Sequence, residues 1–138
     1  MTRDHEAMPY QSPEWNNAIC AEGKFKDISR YYIFEDGCQV IVPLVTTTAI
    51  GPVDLVAGSY PDGCGMGGAV CCDNTAIRHL REVLKDLMAL RFLSIRVRPN
   101  PLQGKRWSEA AHGLGLMMKP RRAHVIDLKE GFDHVYGK

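Results

Sequence analysis

The residues best placed by type to do chemistry crowd into one stretch, residues 59–73, which reads SYPDGCGMGGAVCCD. It holds a glycine cluster and three cysteines, Cys64, Cys71 and Cys72. A phosphate cradle, a thiolate metal site and a plain turn feeding a strand are the three chemistries to weigh. Residues 63–68 match G-x-G-x-x-G letter for letter. A dinucleotide cradle also needs those glycines to open a helix whose N-terminus faces the pyrophosphate. Here the strand-like AVCC intervenes, and Asp86, the acid nearest the ribose-binding distance, falls inside the next helix. The dinucleotide reading therefore fails. The metal reading fails too, because Cys64, Cys71, Cys72 and His79 follow no metal-ligand spacing. Adjacent residues on a strand also point to opposite faces. No metal is expected, and most thiols are expected as small buried hydrophobes.

What remains is backbone geometry. SYPDG has the residue types of a turn, with Pro61 setting φ and Gly63 free to take positive φ. Gly65, Gly67 and Gly68 let the chain pass close to another strand or to a ligand. Tyr60 is the tyrosine expected to line a cleft. No Ser-His-Asp or Cys-His set can be assembled from sequence order, so no catalytic residue is assigned. His79 reads as an exposed or satisfied helix residue. His112 and His134 lie near helix ends. His124, beside Arg121 and Arg122, is the histidine to test first.

The elements that must position these residues follow from pattern. Residues 1–11 read as a loose tail and 12–138 as the folded domain. SPEWNNAICAEG predicts a short helix with Ser12 as N-cap, Pro13 at its first position and Gly23 closing it. Trp15, Ala18 and Ile19 share its apolar face. Residues 28–50 predict a hairpin about a two-residue Asp36-Gly37 turn, with Pro43 marking a bulge or a break in the ladder. PVDLVAG and GGAVCC are further short strands. Residues 74–90 predict the main helix, capped by Asp73 or Asn74, with a stripe of Ile77, Leu80, Leu84, Leu87 and Met88. FLSIRVR alternates Leu93, Ile95 and Val97 against Ser94, Arg96 and Arg98, a half-buried strand stopped by PNP. KRWSEAAHG predicts a helix, with Trp107 in the core, RAHVIDL a last strand, and EGFDHVYGK the start of another helix. The order gives an α/β (α+β) fold: one mixed, largely antiparallel sheet flanked by helices.

Length and composition agree with one domain. At 138 residues the chain can bury roughly 70% of its unfolded surface. No apolar run approaches the roughly 18 residues of a membrane helix, and no apolar signal segment opens the chain, so the cytoplasm is the expected compartment. Five cysteines without a C-x-x-C pair argue for reduced thiols over a disulfide framework. Charge is uneven: residues 1–73 hold four Lys or Arg against ten Asp or Glu, residues 74–138 thirteen against six. The basic half suits a phosphate-bearing ligand or a nucleic acid, or pairs with the acidic half.

Taken together, the early tryptophan helix, RYYIFEDGCQVIVPLV, SYPDGCGMGGAV, SIRVRPNPL and RRAHVIDLKEGFDHVY resemble the first half of Fem-like proteins of the GNAT superfamily. The resemblance covers roughly residues 13–136. That family includes the aminoacyltransferases that build peptidoglycan interpeptide bridges and related acetyltransferase-like proteins. The resemblance implies a GNAT-like domain followed by a second one, with acyl-CoA or aminoacyl-tRNA as donor. It implies tRNA or a nucleotide-linked muropeptide as partner, and a domain that shapes the acceptor cleft of an acyltransferase. The contact residues it points to are Tyr60, Gly63, Gly65, Gly68, Arg96 and Arg98. One departure stands out: where a CoA-binding GNAT domain carries an (Arg/Gln)-x-x-Gly-x-(Gly/Ala) loop, this chain has CCDNTAIRHL, with no glycine and with Asp73 facing an anion. A catalytically silent binding or assembly module is the alternative. A first domain alone is also expected to expose apolar surface and to self-associate.

Overall fold

The computed structural model of the protein describes residues 7–47, 56–59, 67–120 and 122. These residues form a mixed α/β domain of three α-helices and seven short strands, mostly antiparallel. The strand expected in RAHVIDL, the helix expected in EGFDHVYGK, and residues Tyr60, Pro61, Gly63, Cys64, Gly65, Arg121, His124 and His134 lie outside the described residues. No helix among the described residues is long and apolar enough to cross a membrane.

The first helix, α1 (Pro13–Cys20), starts as its residue types dictate. Ser12 Oγ accepts the Trp15 N–H at 3.2 Å and Pro13 fills the first position. Gly23, at φ +74°, turns the chain away. The helix presents a different face from the predicted one. Asn16 is buried, while Trp15 and Ala18 are exposed. Asn16 faces inward because its amide bonds the Asp27 carboxylate. Trp15 meets the Tyr10 ring edge-on at 5.0 Å. Tyr10 belongs to a 3-10 turn, Pro9–Gln11, inside the expected tail. Gln11 is buried there and donates to the Ala69 carbonyl at 3.0 Å.

The hairpin forms in the predicted place. β1 (Phe25–Asp27) and β2 (Arg30–Ile33) run antiparallel to β4 (Val45–Thr47) and β3 (Gln39–Val42). Its turn has three residues rather than two. Phe34 N–H bonds Cys38 O and Gly37 N–H bonds Phe34 O, both at 2.9 Å, enclosing Glu35, Asp36 and Gly37. Only Gly37 takes positive φ, at +77°. A two-residue Asp-Gly turn needs positive φ at both positions, and Asp36 avoids it.

The single sheet expected from sequence is split in two, in the orders β1-β4-β5-β7 and β2-β3-β6. Pro43 supplies the reason. The register is the same on both sides of it: Phe25 faces Thr47, and Arg30 faces Val42. Ile28 N–H bonds Leu44 O, so even-numbered residues of β2 and β3 exchange the ladder bonds. Pro43 therefore turns its missing donor away from β1 and β2, toward the side where β5 and β6 add. No ladder can be continuous there. β5 (Val56–Gly58) pairs with β4, β6 (Val70–Cys71) pairs with β3, and the sheet splits between them. Ser29 Oγ accepts the Leu44 N–H at 3.1 Å and covers the bend.

β7 (Ser94–Arg96) runs parallel to β5, with Ala57 facing Ile95 and Gly58 facing Arg96. The core lies between β3, β6 and the helices α2 (Ile77–Ala89) and α3 (Gly104–Ala111). Alternation sends Cys38, Val40, Val42 and Leu44 inward, all fully buried. They meet Leu80, Val83, Leu84 and Leu87 of α2, with Trp107 and Ala110 of α3 closing the layer. Each fully buried aliphatic chain contributes roughly 1.5–3 kcal/mol. The α2 stripe is rotated from the predicted one. His79 and Val83 face inward, while Ile77 and Met88 are exposed. Leu93 is also exposed rather than half-buried. On the outer side of α2, Asp86 accepts from Arg30 at 3.1 Å and from the Tyr32 hydroxyl at 2.8 Å, tying β2 to the helix.

Candidate functional site

The sequence-predicted site collects around β7. Ser59 is fully buried just beyond β5. Its N–H bonds Arg96 O, and its Oγ accepts the Arg98 N–H, each at 2.9 Å. Gly67 re-enters on the same segment. Its N–H bonds Arg98 O at 2.8 Å, and its carbonyl accepts the Asn100 N–H at 3.0 Å. Gly67 also forms a parallel bridge with Pro99. The two flanks of residues 60–66 are thus fixed on one short run, Arg96 to Asn100. Tyr60, Gly63 and Gly65 lie between those flanks, outside the described residues. Gly68 sits at φ +88°, and a Cβ there would stand 2.9 Å from Pro99 Cα. What Gly68 lets the chain approach is therefore backbone of the same chain. Arg96 is exposed and Arg98 half-buried.

A second cluster, unforeseen in the sequence, forms where the hairpin turn meets the first turn of α2. His79 is buried, and its Nε2 lies 3.0 Å from Asp36 Oδ2. Its Nδ1 accepts the Ala76 N–H at 3.0 Å and so caps the helix. Neither Asp73 nor Asn74 caps α2 as predicted. Asn74 and Thr75 turn instead toward the thiols of Cys38 and Cys72. Arg78 joins Asp36 at 2.6 Å. The Arg78 guanidinium and the Cys38 N–H hold the Asp36 carboxyl below its usual range.

Cys38 and Cys72 bring their sulfurs to 3.1 Å. Cys38 is fully buried, whereas Cys72 borders an open hollow of about 520 Å³ lined by Gly37, Gln39, Ile41, Val70 and residues 71–74. Around Cys72 Sγ stand the Gln39 N–H at 3.2 Å, Thr75 Oγ1 at 3.3 Å and the Asn74 amide at 2.7 Å. Burial pushes the Cys72 thiol up, but hydrogen bonds from Thr75, Cys38 and Gln39 outweigh it and lower its pKa. Burial raises that of Cys38. The Arg106 guanidinium donates to the Thr75 carbonyl and brings a cation to this end of α2.

Asp36, Cys38 and His79 place ligand atoms within 4.8 Å of one another, which invites a metal reading. The imidazole argues against it. A metal on Nε2 requires a proton on Nδ1, donated to an acceptor. Here Nδ1 faces a donor, the Ala76 N–H. His79 Nε2 is itself already engaged, between Asp36 Oδ2 at 3.0 Å and the Arg78 Nε–H at 3.2 Å.

The sequence missed this cluster because β6 pairs with β3 across a long connection. Alternation along the hairpin does place Cys38 inward. Nothing local fixes the register that sets Val40 against Cys71 and brings Cys72 alongside Cys38. Of the other singled-out residues, Trp107 is in the core as expected, and His112 ends α3 with its carbonyl accepting from Arg81.

Comparison of the chain with protein-family models, with curated proteins and with solved structures finds no match.

Proposed function

We propose that this chain is the acceptor-side domain of a Fem-like acyl- or aminoacyltransferase. It shapes the cleft in which an amine attacks an activated ester or thioester. The observation that carries the reading is that Ser59 and Gly67 both bond to the run Arg96–Asn100. Tyr60, Gly63 and Gly65 lie in sequence between those two residues, and the run bears Arg96 and Arg98. Two guanidinium groups on one short run suit an acceptor carrying phosphate or carboxylate, such as a nucleotide-linked muropeptide. The domain's contribution is positioning. The donor, acyl-CoA or aminoacyl-tRNA, is held by a second GNAT-like domain. Exposed Tyr31 and Ile33, at 55% and 67%, lie on β2, an edge strand among the described residues, and suit docking of that domain or of another copy.

A second reading, a catalytically silent binding module, is favoured by the N-terminus of α2. His79 caps it and Asp36 sets a carboxylate beside it. A carboxylate beside that N-terminus opposes a pyrophosphate there. Transfer assays separate the two readings. The chain alone is expected to show no turnover with either donor, and turnover is expected when it is joined to a second GNAT-like domain. Robust turnover by the chain alone contradicts the acceptor-side assignment. No turnover in either form favours the silent module.

A further inference from the structure

We propose that Cys38 and Cys72 form a reactive dithiol that exchanges with small disulfides, Cys72 attacking from the hollow and Cys38 resolving from the core. Three independent features carry this. The sulfurs already touch at 3.1 Å, so closing to a bond of roughly 2.05 Å requires a shift of about 1 Å. One thiol faces an open hollow that admits a reagent, and the other is sealed behind it. Most of the polar groups converge on the outer sulfur, while Thr75 Oγ1 also reaches the inner one at 3.3 Å. The Gln39 N–H and the Thr75 hydroxyl can both donate to a Cys72 thiolate, at the N-terminal end of α2 and near the Arg106 cation. Asn74 presents Oδ1 to the protonated thiol, and a half-turn of its amide offers Nδ2 to the thiolate. Two thiols packed merely as hydrophobes need none of these partners.

The chemistry balances as ordinary exchange. The Cys72 thiolate attacks one sulfur of a small disulfide such as oxidised glutathione. The reagent's S–S bond breaks and one thiolate leaves, giving a mixed disulfide on Cys72. The Cys38 sulfur then attacks Cys72 Sγ and expels the second small thiolate, which leaves with the Cys38 proton. Two protein thiols and one small disulfide become one protein disulfide and two small thiols. The new bond joins the inner end of the hairpin turn to the residue after β6, in front of α2.

The test treats the full chain with oxidised glutathione, quenches with an alkylating agent and maps the cysteine peptides by mass spectrometry. The wild type is expected to give a Cys38–Cys72 disulfide, and Cys72 is expected to react about tenfold faster than half-exposed Cys20. Cys38→Ser is expected to accumulate a glutathione adduct on Cys72, and Cys72→Ser to leave Cys38 unmodified. A parallel arm adds Zn²⁺ before the oxidant. Absence of the Cys38–Cys72 bridge in the wild type overturns the proposal, whatever the variants do. So does a Cys72 rate no greater than that of Cys20, or stoichiometric Zn²⁺ binding that shields both thiols.

Discussion

Two side chains contribute pH-dependent stability at opposite ends of the scale. Asp36 is held below its ordinary value of 3.8 by Arg78, the Cys38 N–H and His79. As pH falls, the unfolded chain takes up its proton at the ordinary value while the folded chain still resists. The stability Asp36 contributes is therefore complete above pH 3.8 and is lost as pH drops through the folded value. Tyr32 behaves in the mirror sense. Burial, then the Asp86 carboxylate at its hydroxyl, push its pKa from 10.0 to about 12. Its contribution is complete below pH 10 and is lost as pH rises toward 12, because the unfolded chain ionises first. Denaturant melts across pH should show both limbs. Asp36→Asn is expected to make the acid limb shallower and Tyr32→Phe the alkaline one, each leaving the other intact. Neither partnership was legible in the sequence. Asp86 drew notice there only as an acid at the wrong place for a ribose, and His79 only as a residue in mid-helix. Their partners, Tyr32 and Asp36, lie across connections of more than forty residues.

At the scale of the elements, local signals read well and long-range ones did not. The Ser12-Pro13 start of α1, the Asp-Gly hairpin and the stop after β7 are written in residue types whose backbone preferences act over two or three positions. Pro43 was legible as an interruption. That it divides one sheet into two depends on which strands add on its far side, and so on pairings the local sequence does not encode. The rotation of α2 has the same origin: the helix turns to give His79 to Asp36 at the cost of exposing Ile77 and Met88. Gly68 shows how a local residue type acquires a non-local reason. Gly23 and Gly68 both take positive φ, but a Cβ on Gly23 meets nothing within 4 Å, whereas one on Gly68 meets Pro99 Cα at 2.9 Å. Gly23→Ala is expected to cost about 1 kcal/mol, the left-handed penalty alone. Gly68→Ala is expected to cost more, roughly 2–4 kcal/mol, because backbone must move. Equilibrium urea unfolding measures both, and equal costs would show that the passage against Pro99 is slack.

At the scale of the whole molecule, the fold class was legible because alternating strand and helix patterns determine it. The site was legible only in part. Arg96 ends β7 on its exposed side as the alternation in SIRVR predicts, Arg98 follows just beyond the strand, and Gly68 lies against the same continuation. The convergence of both flanks of residues 60–66 on that run is a tertiary fact. It joins an acidic first half to a basic second half at the place where the acceptor reading needs them. The thiol pair lies apart, at the hairpin turn and the start of α2, so the dithiol and the acceptor cleft stand or fall separately. The most direct test of the central claim is titration calorimetry of the chain with a nucleotide-linked muropeptide. Saturable binding is expected, weakening by about tenfold or more in each of Arg96→Ala and Arg98→Ala through the loss of one charge-assisted contact. Absence of binding, or binding that both variants leave unchanged, would contradict that claim.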